Sequence, residues 1–166
     1  MRRLFSFPNP VNDFAARTVA TGVVTLSALF LITGWVWVLV ILAYGFWARV
    51  LTGPTLSPLG QLATRVIAPN ISIPAKYVPG PPKRFAQGIG MLFSTTALVL
   101  ALGVSLGAAQ IVIAMLCIPA LLEAAIGYCL GCTIFGLLMK RGIIPSSICE
   151  ECADVTRRYP SLSQHH

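Results

Sequence analysis

Residues 85–139 read FAQGIGMLFSTTALVLALGVSLGAAQIVIAMLCIPALLEAAIGYCLGCTIFGLLM, and Glu123 is the one charged residue among them. A helix that crosses a bilayer needs about 20 mostly apolar residues. This stretch therefore predicts two crossings. A second uncharged stretch, 18–48, lies between Arg17 and Arg49 and is too long for one comfortable crossing. The whole chain agrees, with 56% hydrophobic and 10% charged residues in 166, outside the range of ordinary soluble domains.

The positive charges decide how the stretches divide. They are Arg2, Arg3, Arg17, Arg49, Arg65, Lys76, Lys83, Arg84, Lys140, Arg141, Arg157 and Arg158. If each stretch is a hairpin, all twelve fall on one side, as the positive-inside rule requires. A single tilted helix over 18–48 would put Arg2, Arg3 and Arg17 on the opposite face. The expected fold is therefore an all-α polytopic membrane protein of four transmembrane helices in two hairpins, with cytoplasmic termini. The helices are expected at 13–33, 35–50, 86–107 and 110–139, with turns at Thr33-Gly34 and Gly107–Gln110. Trp35 and Trp37 would belt the outer interface, and Tyr44 and Trp47 the inner one. Residues 1–141 form the membrane domain with a cytoplasmic 49–84 loop, and 142–166 a cytoplasmic tail. The run from Phe5 to Pro10 breaks a signal-peptide pattern, so an uncleaved protein of a bacterial inner membrane is expected. The net charge of +7 serves as a topogenic signal and an attraction to anionic lipids, and requires no nucleic acid. His165-His166 carries no assigned role.

Local signals mark the element ends. Asn12 or Asp13 can cap the first helix, with Arg17 as an interfacial anchor. Ser57-Pro58 reads as a helix start. Leu59, Leu62, Val66 and Ile67 then share one face, suggesting a short helix lying on the membrane surface. Pro79 to Phe85 leads stiffly into the third helix, and Lys83 and Arg84 read as anchors at the phosphate level. Small residues such as Gly88, Gly90, Ser94 and Gly103 allow close packing in lipid. Pro119 should kink the fourth helix. Since 110–139 would outrun a bilayer, a bend, a break near Gly131 or a cytoplasmic projection is expected.

Chemistry concentrates in four cysteines. Cys129-Leu130-Gly131-Cys132 and Cys149-Glu150-Glu151-Cys152 together give C-x2-C-x16-C-x2-C. On a regular helix Cys129 and Cys132 share one face, about 12–17 Å above the basic end at Lys140. Ser147 and Glu150 fit a capping box, which would place Cys149 in a helical first turn. A helix N-terminus favours thiolate, while Glu150 and Glu151 oppose it. Two readings stand. Vicinal dithiols can exchange electrons or sulfane sulfur through mixed intermediates. The same four residues also fit a zinc site if the chain folds back through Gly142 and Pro145. Cys117 reads as packing. Glu123 is an ionisable group at membrane depth, and therefore a functional candidate. On a regular helix it points away from the thiols unless the Pro119 or Gly127 region distorts, and it can bind a proton or cation or hydrogen-bond Gln110, Ser94, Thr95 or Thr96. A transport path for a sulfur species along Glu123 and the thiols is a third reading. Nucleotide and hydrolase chemistry lacks its motifs.

Three ordered motifs carry a resemblance. Phe7-Pro8-Asn9-Pro10-Val11-Asn12 with Ala15-Ala16-Arg17, then Gly80 to Gln87, then Gly127 to Cys132, resemble the domain of unknown function 4395 family. The tail from Ile144 to Asp154 is similar to its actinobacterial form. The resemblance implies a small bacterial membrane protein, often encoded near thioredoxin-like or rhodanese-like proteins. It implies thiol-redox or sulfur work for Cys129, Cys132, Cys149 and Cys152 with such a soluble partner, and names no established activity.

Overall fold

The computed structural model describes residues 11–67, 70, 77–145 and 148. A two-residue strand, β1 (Val11–Asn12), leads into helix α1 (Asp13–Thr33). The Asn12 side chain accepts from the backbone N–H groups of Phe14 and Ala15, so Asn12 is the cap. Such a cap contributes about 1 kcal/mol. Gly34, at φ 68°, closes α1 in the left-handed conformation, and α2 (Val36–Thr52) follows almost at once. A link this short forces antiparallel neighbours. Two sequence expectations, the 13–33 helix and the turn at Gly34, are met.

Ser57 caps the short helix α3 (Pro58–Gln61), its hydroxyl accepting from the Gly60 N–H. A π-helical stretch, Leu62–Ile67, continues it. The contact of these two segments with α1 falls on small residues and on Leu59, whose side chain lies against Gly22. Gly60 and Ala63 are buried, with Ala63 against Ala15 and Val19 of α1, whereas Leu62 and Val66 are exposed. Small residues win the contact because they let backbones approach. A Cβ on Gly60 would lie 2.8 Å from the Pro54 Cα.

Strand β2 (Tyr77–Val78) pairs antiparallel with β1, Val11 opposite Val78 and Asn12 opposite Tyr77. Helix α4 (Gly80–Gly103) then starts earlier than the expected residue 86. Pro81 and Pro82 are accommodated because the first-turn N–H groups have no intrahelical partner. The second turn also comes early. Ser105 caps α5 (Leu106–Ile126), its hydroxyl accepting from Ala108 N–H, so Gly107 to Gln110 are helical rather than a turn.

The expected single helix over 110–139 is two helices. α5 runs through Pro119 and stops at Gly127, which has φ 72°; α6 (Leu130–Lys140) begins anew with Cys129 as its cap. The break falls at Gly127 to Cys129, close to the expected position near Gly131.

α1 packs on α5, α4 on both α2 and α5, and α6 on the start of α4. The Gln110 amide donates to the Leu31 carbonyl, and the Arg17 guanidinium donates to the Ala124 and Ala125 carbonyls. These contacts fix opposite ends of the antiparallel α1–α5 pair. Phe30, Leu39, Leu42 and Ile113 form the centre. Gly90 lets α4 close on α2, since a Cβ there would lie 2.1 Å from Phe46 Cε1. Outward surfaces are apolar, with Ile32 at 84% and Trp37 at 79% exposure. α1, α4 and α5 are long and apolar enough to cross a membrane, and α2 and α6 are shorter apolar helices. The chain is thus an all-helical bundle suited to a lipid bilayer rather than to water.

Candidate functional site

The break between α5 and α6 is built by charge. Lys83, in the first turn of α4, is buried, and its Nζ donates to Glu123 Oε1 at 2.5 Å. The same ammonium lies 3.6 Å from Asp13 Oδ1 at the start of α1. Arg17, one turn along α1, donates to Ala125 O at 2.8 Å and Ala124 O at 3.3 Å. A cation belongs at those carbonyls, because the last C=O groups of a helix are unpaired and carry the negative end of its dipole. Asp13, Arg17, Lys83 and Glu123 thus join three helices where α5 ends.

This arrangement changes three expectations. Lys83 is not a lipid anchor, because a buried ammonium requires a carboxylate partner. Arg17 is a helix-end clamp. Glu123 bonds none of the partners proposed for it from sequence: Gln110 serves Leu31, Thr95 accepts from Trp47, and the Ser94 hydroxyl donates to Met91 O.

The thiols lie at the same break. Cys129 is buried, and its Sγ accepts from the Cys132 N–H at 3.3 Å. Cys132 is half-buried, and both cysteines are free thiols. They remain one turn apart, but Cys129 caps α6 rather than lying within a longer helix. The left-handed Gly127 reverses the chain, so Glu123 and Cys129 share one cavity wall. A regular helix would turn Glu123 from the thiols, and the distortion at Gly127 is the condition under which it faces them. Cys129 lies outside the three long helices. The Cys132 thiol, which donates to it, lowers the Cys129 thiol from its ordinary value, and Lys83 acts in the same sense against burial and Glu123.

The cavity holds about 390 Å³. Its walls are mostly apolar side chains of α1, α2, α4, α5 and α6, among them Val23, Phe46, Phe93 and Leu116, together with the Gln87 amide, Glu123 and Cys129. Gly131 seats α6 tightly on α4, since a Cβ there would lie 2.7 Å from the Ala86 Cα.

Arg49 is a second group that sequence reasoning treated only as a topogenic charge. It is 4% exposed. Its Nε donates to Gln87 Oε1 at 2.8 Å and Nη1 to Ser57 Oγ at 3.1 Å, and the guanidinium sits 4.6 Å over the Phe46 ring. It ties α2 to α4 and to the cap of α3. The spacing of Gln87 and Ser57 from Arg49 gave no periodic signal for this contact.

Cys149 and Cys152, with Ser147 and Glu150, lie outside the described residues. Among the described residues, no group of three or more His, Cys, Asp or Glu side chains is placed to hold a metal ion. A zinc site would need the tail cysteines as well.

Residues 11–140 match a family described as a domain of unknown function, DUF4395. No curated protein and no solved structure matches the chain.

Proposed function

The chain belongs to the DUF4395 family, and we propose that it is a membrane thiol protein whose Cys129–Cys132 pair exchanges electrons or sulfane sulfur with a soluble partner. α2 is read as a fourth crossing, about 26 Å long at 1.5 Å per residue and so slightly short for a bilayer. The basic end, with Lys83, Arg84, Lys140 and Arg141, is read as cytoplasmic in a bacterial inner membrane, which puts the pair within reach of a thioredoxin-like or rhodanese-like protein.

The observation that carries this reading is the Cys132 N–H aimed at Cys129 Sγ at the start of α6. A helix N-terminus stabilises thiolate. In the oxidised pair, a partner thiolate attacks the sulfur of Cys132, the less buried of the two residues. The Cys129–Cys132 bond breaks, and Cys129 leaves as the stabilised thiolate. The partner's second thiolate then attacks the mixed disulfide, forming the partner disulfide and releasing the Cys132 thiolate, which takes a proton. Two electrons pass from the partner dithiol to the pair. A low thiol pKa favours the leaving step.

The experiment uses full-length protein in liposomes, oxidised and then mixed with a thioredoxin-like dithiol protein. The Cys149→Ser/Cys152→Ser variant isolates the inner pair. It is expected to recover both thiols of Cys129 and Cys132, and neither Cys129→Ser nor Cys132→Ser should cycle. No exchange by the isolated pair, with about one zinc per chain lost from that tail variant, would sink the proposal and favour the four-cysteine zinc subunit. Cys129 alkylation by iodoacetamide supplies a pH test in the reduced Cys132→Ala protein. Without the Cys132 thiol as donor, burial and Glu123 outweigh Lys83, so the Cys129 rate should fall off at higher pH than it does in the wild-type pair. An unchanged pH profile would remove the Cys132 hydrogen bond from the account.

A further inference from the structure

The pair has two faces. Cys132 is half-buried and does not line the cavity, whereas Cys129 is buried and does. A soluble partner meets the first sulfur, and whatever occupies the cavity meets the second. The walls are mostly aliphatic and aromatic side chains, with the Gln87 amide among them, contributed partly by helices long enough to cross a membrane. Its occupant must therefore be apolar and dissolved in the bilayer. The volume, about 390 Å³, falls in the range of about 300–1,000 Å³ typical of small-molecule and cofactor sites. At the reactive pole stand one thiol, Cys129, and one carboxyl, Glu123, paired to Lys83. A dithiol that has taken two electrons must pass two on. The class of bilayer-soluble molecule that accepts two electrons and two protons is the quinone.

We propose that this cavity binds the ring of an isoprenoid quinone and that Cys129 is the thiol that reacts with it. The proposal rests on the thiol-exchange reading above and supplies its second substrate. The Cys129 thiolate adds to the quinone ring, forming a carbon–sulfur bond, and the ring oxygen takes a proton. The Cys132 thiol, giving up its proton, attacks the Cys129 sulfur. The sulfur–sulfur bond forms, the carbon–sulfur bond breaks, and its electron pair stays with the ring. The balance is dithiol plus quinone to disulfide plus hydroquinone, the two thiol protons ending on the two ring oxygens. Glu123 lines the cavity where a proton must reach the ring. The chain would then carry reducing equivalents from a soluble dithiol into the bilayer.

The test uses the Cys149→Ser/Cys152→Ser protein in liposomes, reduced, freed of reductant and mixed with a decyl-substituted benzoquinone or a short-chain naphthoquinone. The ultraviolet spectrum reports quinone loss, and mass spectrometry of the quenched protein reports the Cys129–Cys132 disulfide. One quinone consumed for each disulfide formed is expected. Ala120→Phe, which fills the cavity from α5 without touching either thiol, should slow this step by about tenfold or more. Its exchange with the soluble dithiol protein should stay unchanged, which also shows that the variant is folded. Ala20→Phe, from the α1 wall, repeats the test independently. If the pair exchanges with the soluble protein while both quinones stay oxidised, the quinone site is wrong and the thiol-exchange reading stands. If the pair exchanges with neither, both fall. Quinone reduction at the wild-type rate in both cavity-filled variants would also overturn the site, because the reaction would then occur elsewhere.

Discussion

Lys83→Met should destabilise the bundle by about 3–5 kcal/mol, the cost of leaving a buried carboxylate without its cation. Glu123 bonds Lys83 at 2.5 Å, and their side chains are 13% and 6% exposed, so solvent cannot substitute. Asp13 loses the same partner. Glu123→Gln should cost less, because the amide oxygen still accepts from the ammonium. Lys83→Met combined with Glu123→Leu should recover part of the loss, since both ends of the close pair are then apolar. Reversible unfolding in mixed detergent micelles measures all three. A Lys83→Met protein within about 0.5 kcal/mol of wild type, the range of an ordinary surface change, would mean that the ion pair does not hold α4 to α5.

Gly131→Val is expected to separate the thiol-bearing helix from the bundle. A Cβ at this position would lie 2.5 Å from the Ala86 Cβ and 2.7 Å from its Cα, and the second of these is backbone that cannot rotate aside. Overpacking of this kind costs about 1–3 kcal/mol. The cost should fall locally, because α6 packs mainly on the start of α4. It also reports the ring contact of Phe85 with Phe135, whose centroids are 5.5 Å apart. Limited proteolysis between residues 127 and 140, and faster alkylation of Cys129, should follow with α1, α2, α4 and α5 intact. Unchanged protection of Cys129 would show that α6 stays seated without the close approach.

How much of this was legible in the sequence depends on the kind of physics involved. Uncharged runs and the basic residues around them gave the helical membrane class, because bilayer thickness sets a length that can be counted. Caps were legible for the same local reason. Asn12, Ser57 and Gly34 act within a few residues of themselves. The helix break was only half legible. The excess length of 110–139 demanded an interruption, but Gly127 carries the left-handed turn and Gly131 the close contact. Nothing in composition separates those two roles. The Lys83–Glu123 pair was not legible, since its members are 40 residues apart and each had a plausible local reading. The position of Glu123 relative to the thiols turned on whether the helix distorts at Pro119 or Gly127. A straight helix through 110–139 turns Glu123 from Cys129, and only the break brings both to one wall.

The small sheet of β1 and β2 has a consequence for how the protein is made. It joins residues 11–12 to residues 77–78. The first hairpin therefore leaves the ribosome before the strand that fastens its beginning. Asp13 emerges without its ammonium, and Lys83 emerges 40 residues ahead of Glu123. Lys83 can meet Asp13 as soon as it emerges, and gains its closer partner Glu123 only later. Nascent α1 and α2 cannot complete their polar contacts alone. The start of α1 therefore reaches its full set of contacts only after residues 77–123 have been made, so this end of the bundle closes late.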